Sequence, residues 1–193
     1  MTIQHKHIRL MSVTLLFIGS VMIGKSLYMN TKAELAQYLI STAWQSRQSD
    51  QPAAKPWPWA DMHAIAKIDI PRLSITRFIM NDSNGEALAF GPGHLSQTSL
   101  PANIGHSMIA GHRDSHFEFL QELKLGDEII VSNYLGNQET YVIQAAYRMD
   151  TRTDALMLYP EYHGLTLITC FPFNNLSSQG PLRWIVEAAP ISI

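Results

Sequence analysis

The sequence predicts a mainly β domain, a closed barrel or sandwich with short helices, carried behind an apolar N-terminal helix. Three observations predict it: an uncharged run near the amino terminus, a polar and proline-rich stretch after it, and a series of short period-two runs from Met62 onward. At 193 residues the chain has room for one domain of ordinary size plus an appendage, and a core of that size needs no disulfide staples.

The appendage comes first. Leu10 to Gly24 (LMSVTLLFIGSVMIG) carries no charge; Lys25 interrupts it and SLYM continues to Met29. As a helix, 10–29 spans roughly 30 Å, the thickness of a hydrocarbon core. Lys25 falls near the end of that span, where its stem can reach the interface. Lys6 and Arg9 precede the run, so the positive-inside rule holds the terminus in the cytoplasm and exports the rest. The reading is a cytoplasmic segment over 1–9 and a transmembrane signal anchor over 10–29. A cleaved signal peptide is the competing reading, but no clean small-x-small site follows the run directly. Instead Thr31 and Glu34 have capping-box spacing, and Ala36, Leu39, Ile40, Ala43 and Trp44 follow at helical intervals, so the helix is expected to run on out of the membrane. Gln45 to Ala60 (QSRQSDQPAAKPWPWA) then reads as an extended tether. Residues 30–61 are therefore a helical stalk and linker, with Trp57 and Trp59 expected to pack back on the domain.

Charge follows the same division. All 16 acids lie beyond Asn30, against 11 of the 14 Lys and Arg, so that part carries about −5. A net charge of −2 and a pI near 6.4 argue against a general nucleic-acid binder.

Residues 62–193 form the expected domain. Ala64–Ile70 (AIAKIDI) stops at Pro71, and Leu73–Met80 (LSITRFIM) follows. Further strand-like runs are Ser107–Ala110, Glu128–Ser132, Thr140–Ala145, Leu165–Thr169 and Arg183–Ala188. The segment after Asn84 (GEALAFGPGHL) is more helical and is closed by Gly91, Pro92 and Gly93. Phe117–Leu125 is another short helical turn, ended by Gly126 and Asp127. Many short strands and few helices point to a barrel or sandwich.

The chemistry centres on Cys170, the chain's single cysteine. It has no partner for an internal disulfide. A lone thiol is oxidisable in an exported protein, so its retention hints that it is used. Cys170 ends the buried run LTLIT, and Arg183 begins the next strand, RWIVEA. If these consecutive strands pair antiparallel, thiol and guanidinium lie at one rim. His112 follows the strand SMIA and a glycine, so it too stands where a strand leaves the sheet. Each has a plainer reading: a small buried cysteine, a surface ion-pair arginine, a turn histidine bonded locally. Pattern alone leaves the two readings open.

Four stretches resemble sortases, and in particular the single-domain proteobacterial type: GPGH at 91–94, IAGHRDSHF at 109–117, LTLITCFPF at 165–173 and PLRWIVEA at 181–188. The likeness covers roughly 62–191, and the order His, Cys, Arg is the sortase order. The segment before the histidine, LPANIGHSMIAGHR, departs from it, with Asn103 and His106 where relatives tend to be glycine-rich. The resemblance implies an eight-stranded β-barrel with His112, Cys170 and Arg183 as catalytic residues. No cofactor and no metal-ligating set is read from the sequence, which leaves activation by a metal ion open. The implied reaction is acyl transfer on a substrate protein bearing a Leu-Pro-x-Thr-Gly-like C-terminal signal, through a thioester on Cys170, to an amine or water. His112 serves as acid then base, and Arg183 steadies the oxyanion. The connection from Tyr147 to Gly164 helps wall the peptide groove, with Tyr159, Tyr162 and Thr169 as candidate substrate-binding residues. The implied location is the inner membrane, single-pass, with the domain in the periplasm.

Three other readings compete. His106, His112, His116 and Asp114 lie close in sequence, and a metal-dependent hydrolase would use His112 and His116; yet the segment does not read as a helix and lacks the zinc-protease glutamate. A papain-like peptidase places its cysteine before the histidine on a helix start, the reverse of this order. A non-enzymatic sortase-like assembly factor would keep the barrel without needing the three reactive side chains.

Overall fold

The computed structural model describes residues 2–46, 54–157, 161–174 and 180–191. They fall into two compact units, one ending at Tyr38 and one running from Leu39 onward.

The first unit is helical. Helix α1 (Thr2–Gln45) runs without a break through Thr31, so the Thr31–Glu34 spacing does not open a helix. A capping box acts only on the orphan amides of a first turn, and at Thr31 the turns before it already supply carbonyl partners. Val13, Leu15, Leu16, Phe17 and Val21 are exposed along it. Among the described residues no helix is long and apolar enough to cross a membrane, so the expected span over 10–29 is not seen there.

The second unit is a closed eight-stranded barrel with short helices. Its strands are β1 (Ala64–Ile70), β2 (Ile75–Met80), β3 (Gly93–His94), β4 (His106–Ala110), β5 (Glu128–Asn133), β6 (Gln138–Asp150), β7 (Gly164–Cys170) and β8 (Leu182–Pro190). Around the barrel the order is β1-β2-β3-β4-β7-β8-β6-β5, with β5 closing on β1. Pairing is antiparallel except between β2 and β3 and between β4 and β7. Alternate residues point inward, as the pleat requires: Ile68, Ile109, Leu165, Leu167, Val186 and Ala188 are all buried in one core.

Several boundaries differ from the sequence pattern. Leu73 belongs to a 3-10 turn (Pro71–Leu73) closed by Ser74 at φ 54°, so β2 starts at Ile75. β6 runs to Asp150 rather than Ala145, because β8 pairs with it as far as Asp150–Leu182 across a bulge at Ile143/Ala145. The connection to β7 is shortened accordingly. Phe117–Leu125 is reduced to a 3-10 turn at Glu118–Gln121. The helical reading after Asn84 becomes α2 (Gly85–Phe90), where the Asn84 side chain accepts from the Ala87 amide as N-cap.

A smaller cluster explains why the second unit starts before Met62. Ile40 and Trp44 are buried with Met62, Ala64, Met80 and Ala87. Trp57 packs edge-on against Phe90 at 5.1 Å, as expected of it, whereas Trp59 is exposed.

Candidate functional site

Strand alternation decides which side chains share a face. Leu165 and Leu167 lie in the core, so Thr166, Ile168 and Cys170 occupy the opposite, outward face of β7. By the same count Arg183, Ile185 and Glu187 take the outward face of β8, since Val186 and Ala188 are in the core. On β4 it is His106, Met108 and Ala110 that stand opposite Ile109.

Cys170 and Arg183 are direct cross-strand partners at the end of the β7–β8 ladder. Their Cα atoms are therefore about 5 Å apart with side chains on one face. Met149 of β6 is the next partner across, opposite Arg183. The parallel β4–β7 register pairs Ala110 with Ile168, and the Gly111 amide continues it by donating to the Ile168 carbonyl at 3.1 Å. Two residues past each partner stand His112 and Cys170. The three residues singled out in the sequence thus come from three adjacent strand ends at one rim. His112 is exposed; Cys170 and Arg183 are half-buried. Arg183 Nη1 donates to the Gly180 and Leu182 carbonyls at 2.7 and 2.9 Å, which tethers one arm of its fork.

Local contacts hold the histidine turn. The Gly111 carbonyl accepts from Thr169 Oγ1 at 2.7 Å, and the Phe117 amide donates to the His112 carbonyl at 2.9 Å. Gly111 has no room for a side chain: a Cβ there would lie 2.7 Å from the Phe117 ring. Thr169 is 2 % exposed and faces the core side. Its hydroxyl ties β7 to the end of β4 beneath the rim. Behind Cys170, Phe171 stacks on Trp184 at 5.7 Å and Phe173 meets both rings edge-on.

On the same outward face lies a cavity of about 760 Å³, which reaches the rim at Met149. Its floor is His106, Met108, Thr166, Glu187, Tyr147 and Met149; its walls include Leu156, Met157, Glu161 and Tyr162 from the β6–β7 connection. Tyr162 lines this cavity, with its ring edge-on to His106 at 5.4 Å. Tyr159 lies outside the described residues. Sequence reasoning missed Thr166, Glu187 and Met108 as floor residues. The signal was available in the period of two, counted back from Cys170 along β7 and from Arg183 along β8.

The metal reading gains nothing here. Among the described residues no three His, Cys, Asp or Glu side chains gather to hold an ion. His106 opens β4 and His112 lies past its far end. Burial pushes His116 below its ordinary pKa, while a hydrogen bond involving the Ala89 backbone acts in the opposite sense.

Comparison with known proteins aligns with this geometry. The family model of the sortase domain matches residues 68–191. The chain is 26 % identical over 119 residues to sortase D of Bacillus subtilis (strain 168), covering 62 % of this chain and 60 % of that relative. It therefore spans about 60 % of that curated relative's length. Among solved structures it is similar to the sortase D5 transpeptidase of Clostridium perfringens, with 29 % identity, a TM-score of 0.58, and coverage of 67 % of this chain and 80 % of that one. It shares the fold of sortase A from Corynebacterium diphtheriae, with a TM-score of 0.60 at 24 % identity over 85 % and 84 % of the two chains.

Proposed function

Because the chain belongs to the sortase family of cysteine transpeptidases, we propose that it cleaves a Leu-Pro-x-Thr-Gly-like sorting signal and transfers the acyl part to an amine. The observation that carries this reading is the direct Cys170–Arg183 pairing on the outward face, with the His112 turn hydrogen-bonded alongside.

In this mechanism Cys170 Sγ, as thiolate, attacks the threonine carbonyl and forms a C–S bond. The electron pair moves to the carbonyl oxygen, where an Arg183 N–H donates to the oxyanion. As the intermediate collapses the C–N bond breaks, and the departing glycine amine takes a proton from His112. The thioester is then attacked by a second amine, which returns its proton to His112 and releases the thiolate. Thr169, Gly111 and Phe117 hold the histidine turn in register with the cysteine strand, so that the encounter needs little reordering.

We further infer that residues 10–29 anchor the chain in an inner membrane, with the domain on the periplasmic side and of the single-domain proteobacterial type. Support comes from the uncharged run of Leu10–Gly24, the basic residues before it, and the exposure of its described apolar side chains. The test of activity incubates the full chain, in detergent, with a peptide containing Leu-Pro-Ala-Thr-Gly and a primary amine. The expected product is the peptide truncated after threonine and joined to the amine. Recovery of intact peptide across a panel of such signals overturns the reading.

A further inference from the structure

Thr169 fastens the His112 turn on the side of β7, and an arginine on β2 fastens it on the other side. Arg77 pairs directly with Ile68 of β1 and stands two residues before Ile79, and both isoleucines are buried in the core. By the pleat its side chain leaves from the inward face, an uncommon place for a cation. It is half-buried. Its Nε donates to the His116 carbonyl at 3.3 Å and its Nη1 to the Thr76 carbonyl at 2.9 Å. The guanidinium carbon stands 5.9 Å from the centre of the Phe119 ring. Burial pushes the Arg77 pKa down, and among the described residues no carboxylate acts to raise it. A desolvated cation met by carbonyls and a ring gives up hydration without forming an ion pair, so the barrel gains little stability from it.

What it holds is the far end of the histidine turn. The Phe117 amide donates to the His112 carbonyl at 2.9 Å and closes that turn. Thr169 Oγ1 grips the Gly111 carbonyl, one residue before His112; Arg77 grips the His116 carbonyl, four residues after it. The two clamps come from β7 and β2, strands separated in the barrel by β3 and β4. Beneath the turn, the Phe119 ring that faces the guanidinium meets Phe117 edge-on at 5.8 Å, and the Phe117 ring in turn abuts Gly111. His116 also bonds the Ala89 backbone of α2. With both carbonyls held, the imidazole of His112 has little freedom to leave the neighbourhood of Cys170. A displacement of about 1 Å at such a group can cost ~100-fold in rate.

Resting on the acid–base reading of His112, we propose that Arg77 is a positioning residue for the acyl transfer, fixing the His112 turn from the β2 side through the His116 carbonyl and the Phe119 ring.

The test compares Arg77→Met, an unbranched apolar side chain without donors, and Arg77→Lys with the wild-type full chain in detergent. Removing a desolvated cation should leave the melting temperature unchanged or raise it. Single-turnover thioester formation on a Leu-Pro-Ala-Thr-Gly peptide should nonetheless slow about 5- to 30-fold in Arg77→Met, with the half-saturating peptide concentration within about 2-fold of wild type. Arg77→Lys keeps a cation for the Phe119 ring without the fork, and should fall between the two. Combined with Thr169→Val, the loss should be smaller than the product of the two single losses, because both clamps hold one turn. Histidine-labelled protein without peptide gives a second readout. The His112 ring resonance, identified by its loss in His112→Gln, should shift or broaden in Arg77→Met while that of His163 stays in place. An unchanged rate in Arg77→Met, or a loss that is matched by a lower melting temperature and multiplies fully with Thr169→Val, overturns the proposal. If the wild type itself forms no thioester, the catalytic reading of Cys170 falls separately and the His112 resonance decides: moved in Arg77→Met it upholds the clamp, unmoved it overturns it.

Discussion

The two ends of the β4–β7 pair each carry a histidine, put to opposite purposes. At the Gly164 end a histidine is wired into structure: His163 Nε2 meets Glu139 Oε1 at 2.8 Å, and Tyr141, buried, donates to Glu139 Oε2 at 2.6 Å. The Gly105 amide donates to His163 Nδ1 at 3.2 Å, which joins the loop before β4 to the loop before β7. A tautomer with its proton on Nε2 satisfies both bonds. Burial, helped by the Glu139 charge, pushes the Tyr141 hydroxyl far above its ordinary pKa. At the Cys170 end the histidine is exposed, and cysteine and arginine are half-buried beside it. The backbone there is bonded as firmly, through Thr169 and the Ile168 carbonyl, but the reactive side chains face outward. What separates the latch from the site is that His163 is half-buried and paired through its ring with Glu139, whereas His112 stands exposed at the rim.

That contrast breaks if substitutions at the two ends have similar consequences. The largest effect is expected at Arg183. Arg183→Lys keeps the charge but loses the planar fork, and should slow single-turnover thioester formation about 30- to 1000-fold, or roughly 2–4 kcal/mol in the barrier. Rates within 3-fold of wild type would return Arg183 to the role of a surface cation.

Thr169→Val comes next and sits between the two categories. It preserves volume and removes the donor to the buried Gly111 carbonyl, so unfolding stability should drop about 1–3 kcal/mol. Thioester formation should slow as well, because the His112 turn loses its tie. A loss of stability with an unchanged rate would show that the tie does not position the histidine.

The smallest effect belongs to His163→Gln at the latch. Burial alone pushes His163 down, but its bond to Glu139, the Gly105 carbonyl 3.2 Å from Nδ1 and the Glu139 charge together raise its pKa above 6.5. A raised folded value means that the charge-linked stabilisation is complete below pH 6.5 and fades as pH climbs through the raised value. The substitution should therefore cost more at pH 5.5 than at pH 9, by under about 1 kcal/mol given the part-exposed pair, with thioester formation unaffected. Thermal unfolding at the two pH values checks this, and a difference that ignores pH contradicts it.

Much of the rim was legible because it is local. LTLITC and RWIVEA are consecutive strands, so their antiparallel pairing puts Cys170 and Arg183 opposite each other with one turn to infer. His112 was harder, since its place depends on a parallel β4–β7 pairing across more than fifty residues. What stayed hidden has the same origin. The two residues of β3 carry no periodicity to detect. The AAYRMD half of β6 lacks the alternation of a strand and is specified by β8, which follows far along the chain. The burial of Ile40 and Trp44 needs Met62 and Met80 to be seen with them. His106 stood out in sequence as a departure from glycine and as one of three clustered histidines; its place on the cavity floor depends on Thr166 and on the β6–β7 connection.

The most direct measurement of the central claim is the intact mass of the full chain after mixing with a Leu-Pro-Ala-Thr-Gly peptide without added amine. Wild type should gain the mass of the peptide's acyl part, and that adduct should be released by hydroxylamine as a thioester is. Cys170→Ala should show no adduct and no cleaved peptide, with a melting temperature within a few degrees of wild type, since a strand-end residue fills little core. Peptide cleavage retained by Cys170→Ala would contradict the account.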